Sequence, residues 1–452
     1  MADADPQFRS IGLAPVTGRA RIDVLDILRG VAILAIFYMN VPAMGGSFLL
    51  YMGQVRMGGW TLPDQGAWAL LQVAAEGTQR GMLEMLFGAG MVILTARVMT
   101  PDGPVAVADL YFRRTLWLLA FGLADVFLFL WPGDVLHTYA LAALFLFPFR
   151  RLAPRALVAL GLLYAAFTVV SGAADYVERD QLMHRAEAAQ AATVAHRPLN
   201  KDQADALAEW RRKADRIAHL SPEKRELFKG ELKARHGSLK DYAGWLQQLW
   251  VTQVWPIEPF TVAEAFCTML LGVALFKWGV IQGRRSRAFY LRLALPAYAF
   301  GLVARAWGAH EWMRFAPDPK LSWIWDEPAR LAVTLGHVAL INLLVQTGVG
   351  ARLLAPFRAA GKTAFSLYVL QTFIGMWLLF PAFGLGLWDR FGWFGLTVTA
   401  TVTIAFLLVL ANIWVRFFAI GPLEWVWRSL AYGRRQPFRH RPQGDPLVVV
   451  GP

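Results

Sequence analysis

The sequence predicts an all-α protein: a polytopic membrane helix bundle of about ten transmembrane helices with a helical extracytoplasmic insert. Hydrophobic residues make up 56% of the chain and the mean hydropathy is +0.40, whereas soluble domains hold roughly 45–50% hydrophobic residues. The 19 tryptophans are typical of the aromatic belts that form at the two membrane–water interfaces. A bundle that crosses the bilayer many times explains both observations.

Apolar runs of about 20 residues, long enough to cross a bilayer, recur along the chain. They lie at residues 24–44, 79–97, 113–131, 134–149, 156–175, 259–278, 288–308, 329–349, 363–386 and 394–416. Lys and Arg cluster in every second connection, as the positive-inside rule requires. This alternation predicts an even number of spans with both termini in the cytoplasm.

Polar segments divide the chain into regions. We expect a cytoplasmic N-terminal segment at 1–23, spans one to five at 24–175, the helical extracytoplasmic insert at 176–258, spans six to ten at 259–416, and a cytoplasmic interfacial helix with a basic tail at 417–452. The insert is rich in good helix formers with spaced apolar positions. It is expected to form a cap over the outer mouth of the bundle, or a partner surface.

Several function classes are excluded by composition. The net charge of +13 does not indicate nucleic-acid binding, because the basic residues sit in short clusters between apolar runs. The single cysteine, Cys267, excludes an internal disulfide. The sequence has no zinc-ligand spacing, no nucleotide-binding fingerprint and no GxSxG elbow, so it does not predict a metal site or the enzymes those motifs mark.

The first predicted span carries a polar stripe. Asp26, Arg29 and Asn40 fall within about 60° of one another on an α-helix, because each residue turns about 100°. Ionisable groups at such depth are costly unless they face a protein interior. The stripe therefore predicts a bundle with a polar interior.

The second span opens with an acid–base ladder. Glu76, Arg80 and Glu84 follow i, i+4 spacing and descend from the outer surface. An unpaired Glu84 would cost on the order of 2.5 kcal/mol or more in the membrane, and pairing with Arg80 relieves this cost. The ladder either ties two helices together, or makes Glu84 a base or ion ligand that faces a cavity.

The fourth span opens with Asp134, His137 and Tyr139 on the outer side. An Asp–His pair one turn apart can serve general acid–base chemistry, and a capped helix with an interfacial histidine is the alternative. Three more titratable residues project to similar depth and strengthen the prediction of a polar chamber open to the outside: Glu264, Arg305 and His337. A lone histidine such as His337 is typically a helix–helix contact.

Basic residues gather near the cytoplasmic surface, namely Arg29, Arg113, Arg114 and Lys362. Topology anchoring is one explanation. The alternative is a phosphate-binding entrance for a coenzyme A thioester or an anionic lipid head group, because guanidinium groups suit phosphate geometry.

Four segments resemble the YeiB-type bacterial membrane proteins, a family described as a domain of unknown function. They bracket nearly the whole chain except the insert, and they are RIDVLDILRG with Asn40, MLFGAG at 85–90, Arg113-Arg114 leading to GDVLHTYA at 133–140, and GKTAFSLYVLQT at 361–372 with GPLEWVWRSLAYG at 421–433. The resemblance implies a multi-pass protein of the bacterial inner membrane.

The first span is also similar to a wider group of transmembrane acyltransferases, which includes the lysosomal heparan glucosaminide acetyltransferase and bacterial sugar O-acyltransferases. This similarity rests on Leu28-Arg29-Gly30 and Asn40, and it implies acyl transfer from a cytoplasmic thioester to an outer acceptor. In the heparan enzyme a histidine follows the asparagine by about three helical turns. Residues 41–51 here contain no histidine.

The favoured hypothesis is a membrane-embedded acyltransferase-like protein. The candidate catalytic residues are His137 as base, Asp134 to orient it, Asn40 as oxyanion donor, and Glu84. The candidate residues for binding substrate or cofactor are Arg29, Arg80, Arg113, Arg114 and Tyr139.

Acyl-CoA is the expected donor, with no permanently bound cofactor. The expected partners are membrane lipids and a small-molecule or lipid substrate, and a homo-oligomer is left open. Two other functions are left open as well: a transporter of a small polar or lipid-like solute, and a lipid-binding scaffold whose insert recruits a partner.

Overall fold

A computed structural model describes the chain at residues 22–50, 52–95 and 105–439. Over these ranges the chain folds into helices joined by loops, without β-strands apart from an isolated bridge between Phe418 and Arg439. The predicted all-α membrane helix bundle is confirmed. The predicted N-terminal segment and the end of the basic tail fall almost wholly outside the described residues.

The helices follow one another in chain order. The described chain begins with α1 (Asp23–Ala35), α2 (Phe37–Gly45), α3 (Leu62–Ala74), α4 (Thr78–Thr95), α5 (Val105–Phe127) and α6 (Leu136–Leu146). Next come α7 (Pro154–Gly161), α8 (Leu163–Val194), α9 (Lys201–Ala218), α10 (Pro222–His236) and α11 (Leu239–Leu249). The chain continues with α12 (Glu258–Lys277), α13 (Arg287–Met313), α14 (Ser322–Val345), α15 (Gly348–Lys362), α16 (Ala364–Phe373), α17 (Trp393–Phe417) and α18 (Pro422–Tyr432).

Five helical stretches of the described chain are long and apolar enough to cross a membrane. They are Asp23–Gly45, Pro154–Val194, Leu239–Lys277, Ser322–Val345 and Trp393–Phe417. Each contains most of one predicted span, and a shorter apolar stretch, Ala364–Leu379, lies within the span predicted at 363–386. The chain is therefore a membrane protein.

Two predicted boundaries differ from the helices. The predicted fifth span continues through α8 to Val194, because the first residues of the insert are good helix formers and give no stop signal. The short fourth span is shorter still: α6 has 11 residues and passes into a 3₁₀ turn that begins at Phe147 and contains Pro148. Proline has no backbone N–H to continue the α-helical ladder.

Glycines bring two pairs of helices into backbone contact. A Cβ on Gly30 would collide with the Phe357 carbonyl oxygen, and one on Gly361 would collide with the Asp26 carbonyl oxygen, so α1 and α15 cross without side chains between them. A Cβ on Gly88 would likewise collide with the Met269 carbonyl oxygen, so α4 and α12 are in close backbone contact there. Small residues at such crossings allow helices in a bilayer to pack closely. These crossings fix the walls of the candidate site.

Candidate functional site

A cavity of about 220 Å³ lies between α2, α4, α6 and the N-terminus of α12, and we call it the central chamber. Its lining brings together most of the predicted site residues: Asn40, Arg80, Glu84, Asp134 and Tyr139. His137 is not part of the lining and is buried behind Asp134. Polar side chains from several helices thus face one shared space, although most of the surface that lines it is apolar.

Five charged side chains from α4, α12 and α14 form an ion network beside the chamber, in which Arg80 is partly exposed and the others are buried: Arg80, Glu84, Glu264, Glu327 and Arg330. Arg80 Nη2 lies 2.6 Å from Glu264 Oε1, and Arg330 Nη2 lies 3.0 Å from the same oxygen. Arg330 Nε also lies 2.7 Å from Glu327 Oε2. Buried charges in a membrane interior are found paired in this way, because an isolated one is costly.

Glu84 is the least engaged acid of this network. Its two oxygens lie 3.6 Å from Arg80 Nε and 3.6 Å from Arg330 Nη1, which is too far for hydrogen bonds. Its Oε2 is buried and accepts no hydrogen bond from any described group. The arginines instead make their short contacts with other acids: Arg80 with Glu264, and Arg330 with Glu264 and Glu327. Glu84 therefore presents a carboxyl group with spare acceptor capacity to the chamber.

Asp134 and His137 form the predicted pair. Asp134 Oδ2 accepts from the His137 backbone N–H at 2.9 Å and lies 2.8 Å from His137 Nδ1, so it caps α6 and orients the ring at once. The other ring nitrogen, Nε2, lies 3.3 Å from Glu258 Oε1. Both ring nitrogens face carboxylate oxygens, and neither points into the chamber.

Asn40 projects from α2 into the chamber. Among the described residues its side chain has no hydrogen-bond partner, although only 6% of the residue is exposed. At the other end of the predicted stripe, Arg29 Nη1 lies 3.0 Å from Asp26 Oδ1. The stripe thus divides into an ion pair at one end and an amide facing the chamber at the other.

The insert roofs the chamber. Arg235, Trp245 and Leu246, from α10 and α11, belong to the chamber lining. Arg235 donates to the carbonyl oxygens of Ala43 and Met44 at 3.3 Å, which caps the C-terminus of α2 with a cation.

A buried acid completes the attachment of this roof. Glu231 accepts from the Ser47 hydroxyl at 2.6 Å and from the Phe48 N–H at 3.0 Å, and lies 3.3 Å from Arg235 Nη2. Burial raises the pKa of the Glu231 carboxyl, and the Arg235 guanidinium opposes that rise. The insert is therefore joined to the loop after α2 by buried polar contacts and covers the chamber at this end.

A second cavity, here called the vestibule, opens beside the chamber with a volume of about 810 Å³. Its polar lining includes Glu264, Arg305, Glu327 and Arg330, and it shares Glu76, Gly77 and Arg80 with the chamber. Arg305 is held in place by donating to the carbonyl oxygens of Gln72, Val73 and Glu76. His337 lies outside this lining and bridges Tyr298 and the Ala74 carbonyl as a helix–helix contact.

A third cavity, here called the basic groove, has a volume of about 230 Å³. Its rim carries four cations: Arg29, Arg114, Lys362 and Arg428. Its other lining residues are mostly apolar but include the buried acid Glu424, and Val135 and Tyr139 line both the groove and the chamber. Arg113 is not among the lining residues and instead lies 3.4 Å from Asp109, partly exposed. The three cavities therefore lie in a series, with Arg80 in the wall shared by vestibule and chamber and Tyr139 in the wall shared by chamber and groove.

The comparisons with known proteins can be set beside this geometry. Residues 275–434 match the family described as "Protein of unknown function (DUF418)". The chain is 26% identical to the uncharacterized protein YxaH of Bacillus subtilis over 439 residues, which covers 94% of this chain and 98% of that protein. It is 26% identical to the uncharacterized protein YeiB of Escherichia coli over 431 residues, or 90% of this chain and 95% of that one. The resemblance to YeiB-type proteins is confirmed.

No solved structure matches this chain. The names of these relatives and the family description state no activity, so they assign no reaction to the chamber. The DUF418 match covers α13 to α18 and includes Arg330 and Lys362, whereas Asn40, Glu84 and Asp134 precede it. The three cavities are thus built from both parts of the chain.

Several site residues were not predicted from the sequence. Arg330 and Glu327 complete the ion network, and Glu258 lies 3.3 Å from the second ring nitrogen of His137. The signal that could have found Arg330 is an arginine inside the apolar run at 329–349. Arg235 gave no such signal, because a charged residue on a polar helix is typical of a solvated face.

Proposed function

We propose that the protein is an acyltransferase-like enzyme of the bacterial inner membrane, which moves an acyl group from a cytoplasmic thioester to an extracytoplasmic acceptor. The observation that supports this proposal is the series of three cavities. The basic groove adjoins the chamber at Tyr139, and the chamber adjoins the open vestibule at Arg80. A reaction that joins a donor from one side to an acceptor from the other requires such a path.

The basic groove suits the donor. Under the positive-inside rule its cations would lie at the cytoplasmic surface, where Arg29 and Arg114 would hold the phosphates of acyl-CoA. The groove follows α4 from Leu94 to Leu83, a distance of roughly 17 Å at 1.5 Å per residue. The flexible arm of the carrier would lie along these apolar walls, with the acyl carbonyl near Tyr139.

The chamber and the vestibule suit the acceptor. A hydroxyl or amine that enters through the vestibule would attack the thioester carbonyl carbon and form the new C–O or C–N bond. Glu84 would take the proton that the acceptor loses, and the C–S bond would break to release the carrier thiolate, which takes up a proton to become the thiol. The Asn40 amide would donate a hydrogen bond to the oxyanion formed on the way.

Glu84 is the stronger of the two candidate bases. It lines the chamber and keeps one oxygen without a hydrogen bond, whereas His137 does not line the chamber, its Nδ1 is engaged by Asp134 and its Nε2 lies 3.3 Å from Glu258 Oε1. His137 would instead position Asp134 at the chamber wall. General acid–base groups must be within reach of the proton they move, and Glu84 meets this condition.

A transfer assay tests the proposal. Full-length protein in lipid nanodiscs is mixed with acyl-CoA labelled in the acyl group and with hydroxyl- and amine-bearing acceptors. We expect labelled product, with a rate that falls about a hundredfold or more in Glu84→Gln and in Asn40→Ala. Asn412→Ala is the matched control, because Asn412 bonds to the Pro356 carbonyl and lines none of the three cavities. Transfer that both chamber variants leave unchanged would contradict the proposal.

A transporter of a lipid-like or small polar solute is the second candidate. The specific observation in its favour is the same row of three cavities, in which Arg80 and Tyr139 stand in the walls between neighbouring cavities. Flux into proteoliposomes that is lost in Glu84→Gln, without any acyl product, would select this function. A scaffold function predicts instead that deletion of residues 180–245 abolishes activity while Glu84→Gln has no effect.

A further inference from the structure

The central chamber has an apolar lining to which the proposed reaction gives no role. That reaction uses Asn40, Arg80 and Glu84, whereas most of the surface that lines the chamber is apolar. Apolar walls stabilise an apolar ligand, because its binding removes apolar surface from water. The apolar lining includes Ile36, Met39, Trp131, Leu249, Val254 and Ile257.

The connection between α11 and α12 forms one wall of the chamber. It is π-helical over Trp250–Val254 and 3₁₀-helical over Trp255–Ile257, and it contains Pro256, which has no N–H for an α-helical ladder. Val254 and Ile257 of this connection line the chamber. Such irregular helical turns are frequent at functional sites. The chamber is thus bounded here by irregular backbone and not by a continuous α-helix.

The outer face of this connection is apolar and exposed. Val251, Trp255 and Phe260 are each more than half exposed, and they belong to the stretch Leu239–Lys277, which is long and apolar enough to cross a membrane. Exposed apolar side chains on such a stretch are in contact with lipid. Ile257 is 54% exposed and also lines the chamber, so a single side chain separates the chamber from lipid at this point.

Ile257 lies close to the place proposed for the acyl carbonyl. Thr138 Oγ1 donates to Glu258 Oε1 at 2.7 Å, which joins the residue before Tyr139 to the residue after Ile257. Tyr139 itself lines both the groove and the chamber. A chain attached to a carbonyl near Tyr139 would therefore pass along the apolar lining and reach lipid beside Ile257.

We infer that the acyl group of the donor is a fatty acyl chain, which lies along the apolar lining of the chamber and leaves it for the bilayer beside Ile257. The inference rests on the proposed function, because it names the acyl group of that reaction. An acetyl group would leave most of the apolar lining without a contact, whereas a long chain would cover it. The chain stays attached to its carbonyl carbon throughout, so no bond forms or breaks beyond those of the proposed reaction.

A chain-length series tests the inference. Full-length protein in nanodiscs receives acetyl-, octanoyl- or palmitoyl-CoA labelled in the acyl group. We expect kcat/KM to rise about tenfold or more from acetyl to palmitoyl, since two further buried CH₂ groups already correspond to about a tenfold gain.

A substitution at the exit tests where the chain leaves the chamber. Ile257→Trp places a larger side chain there and should lower the palmitoyl-to-acetyl ratio of kcat/KM by about tenfold. Val251→Trp is the matched control and should keep the wild-type ratio, because Val251 is similarly exposed in the same connection and lines none of the three cavities. Equal ratios in the two variants would overturn the exit beside Ile257.

Photocrosslinking locates the chain without requiring transfer. A non-hydrolysable CoA thioether that carries a diazirine in its alkyl chain is expected to label residues 249–260 of the wild-type protein. An excess of the same thioether without the diazirine should prevent the labelling. Thermal unfolding checks that Ile257→Trp folds, and if it does not, the labelling of the wild-type protein decides.

The outcomes distinguish the inference from the proposed function. Transfer from acetyl-CoA that is as fast as transfer from palmitoyl-CoA, or labelling that avoids residues 249–260, would overturn the inference and leave acyl transfer standing. Labelling of residues 249–260 without product from any donor would contradict acyl transfer and support the binding of the chain at this wall.

Discussion

The central chamber and the basic groove adjoin at Tyr139, yet they use charge in opposite ways. Around the chamber, acids and arginines from α4, α12 and α14 neutralise one another in the interior. The groove is lined mainly by apolar side chains, together with four cations, of which Arg29 is paired with Asp26, and one acid, Glu424. The difference shows that one bundle can hold a network of paired charges next to a mostly apolar space bordered by cations. Substitutions should therefore affect stability at the first and binding at the second.

The largest expected effect is on stability, in the ion network. Arg330→Ala removes the partner of Glu327 and one partner of Glu264, and so leaves buried carboxylates without compensation. We expect the free energy of unfolding to fall by about 3–5 kcal/mol, measured by denaturant titration in lipid–detergent micelles. Arg314→Ala is the control: it breaks an exposed pair with Asp318 and should cost about 1 kcal/mol or less. Equal losses of unfolding free energy in both variants would refute the distinction between the buried network and the exposed pair.

The roof of the chamber should give an intermediate effect on stability. Arg235→Ala removes the cation that caps α2 at the carbonyl oxygens of Ala43 and Met44. We expect a loss of about 1–3 kcal/mol together with faster proteolysis of the insert. Lys229→Ala, which removes an exposed pair with Glu226 on the same helix, should leave the proteolysis rate unchanged. Equal rates of cleavage of the insert in both variants would show that contacts other than those of Arg235 attach the insert to the bundle.

The groove rim should affect binding rather than folding. Arg114→Ala removes a cation that lines the groove, and we expect donor affinity to fall about tenfold or more, as for a lost hydrogen bond to a charged group. Arg113→Ala should have a smaller effect, because that side chain pairs with Asp109 outside the groove. Equilibrium binding of a fluorescent acyl-CoA measures both. The reverse order would show that the donor lies on the surface and not in the groove.

The smallest expected change in stability accompanies Gly90→Leu. Gly90 lines the groove, and a Cβ there would have no atom within 4 Å. The leucine side chain should therefore fill the groove and block donor binding, while the free energy of unfolding changes by no more than about 0.5 kcal/mol. Gly88→Ala, two residues earlier, would collide with the Met269 carbonyl and should destabilise by about 1–3 kcal/mol. A folded Gly90→Leu protein that binds the donor normally would show that the donor does not bind in the groove.

The depth of a site residue in the membrane and the helical face on which it lies were predictable from the sequence, whereas its neighbours on other helices were not. Asn40, Glu84 and Asp134 share the chamber because residues of similar depth on inward faces converge in a bundle. The partners Arg330 and Glu258 come from distant helices, and spacing along one helix carries no information about which helix lies opposite.

The adjacent arginines illustrate a second limit of sequence-based prediction. Residues 113 and 114 differ by about 100° around α5, so only one of the two can face the groove. The positive-inside rule explains both equally and cannot choose between them. The packing of α5 against its neighbours, including the stacking of Arg114 over Trp427, makes that choice.

The central claim is that the groove, the chamber and the vestibule form one path. A cryo-EM map of the protein in nanodiscs with a non-hydrolysable acyl-CoA thioether tests it most directly. The account predicts continuous density from the cationic rim at Arg29 and Arg114, along the groove, to the chamber beside Tyr139. Density confined to the protein surface, with the groove occupied by water alone or collapsed, would contradict it.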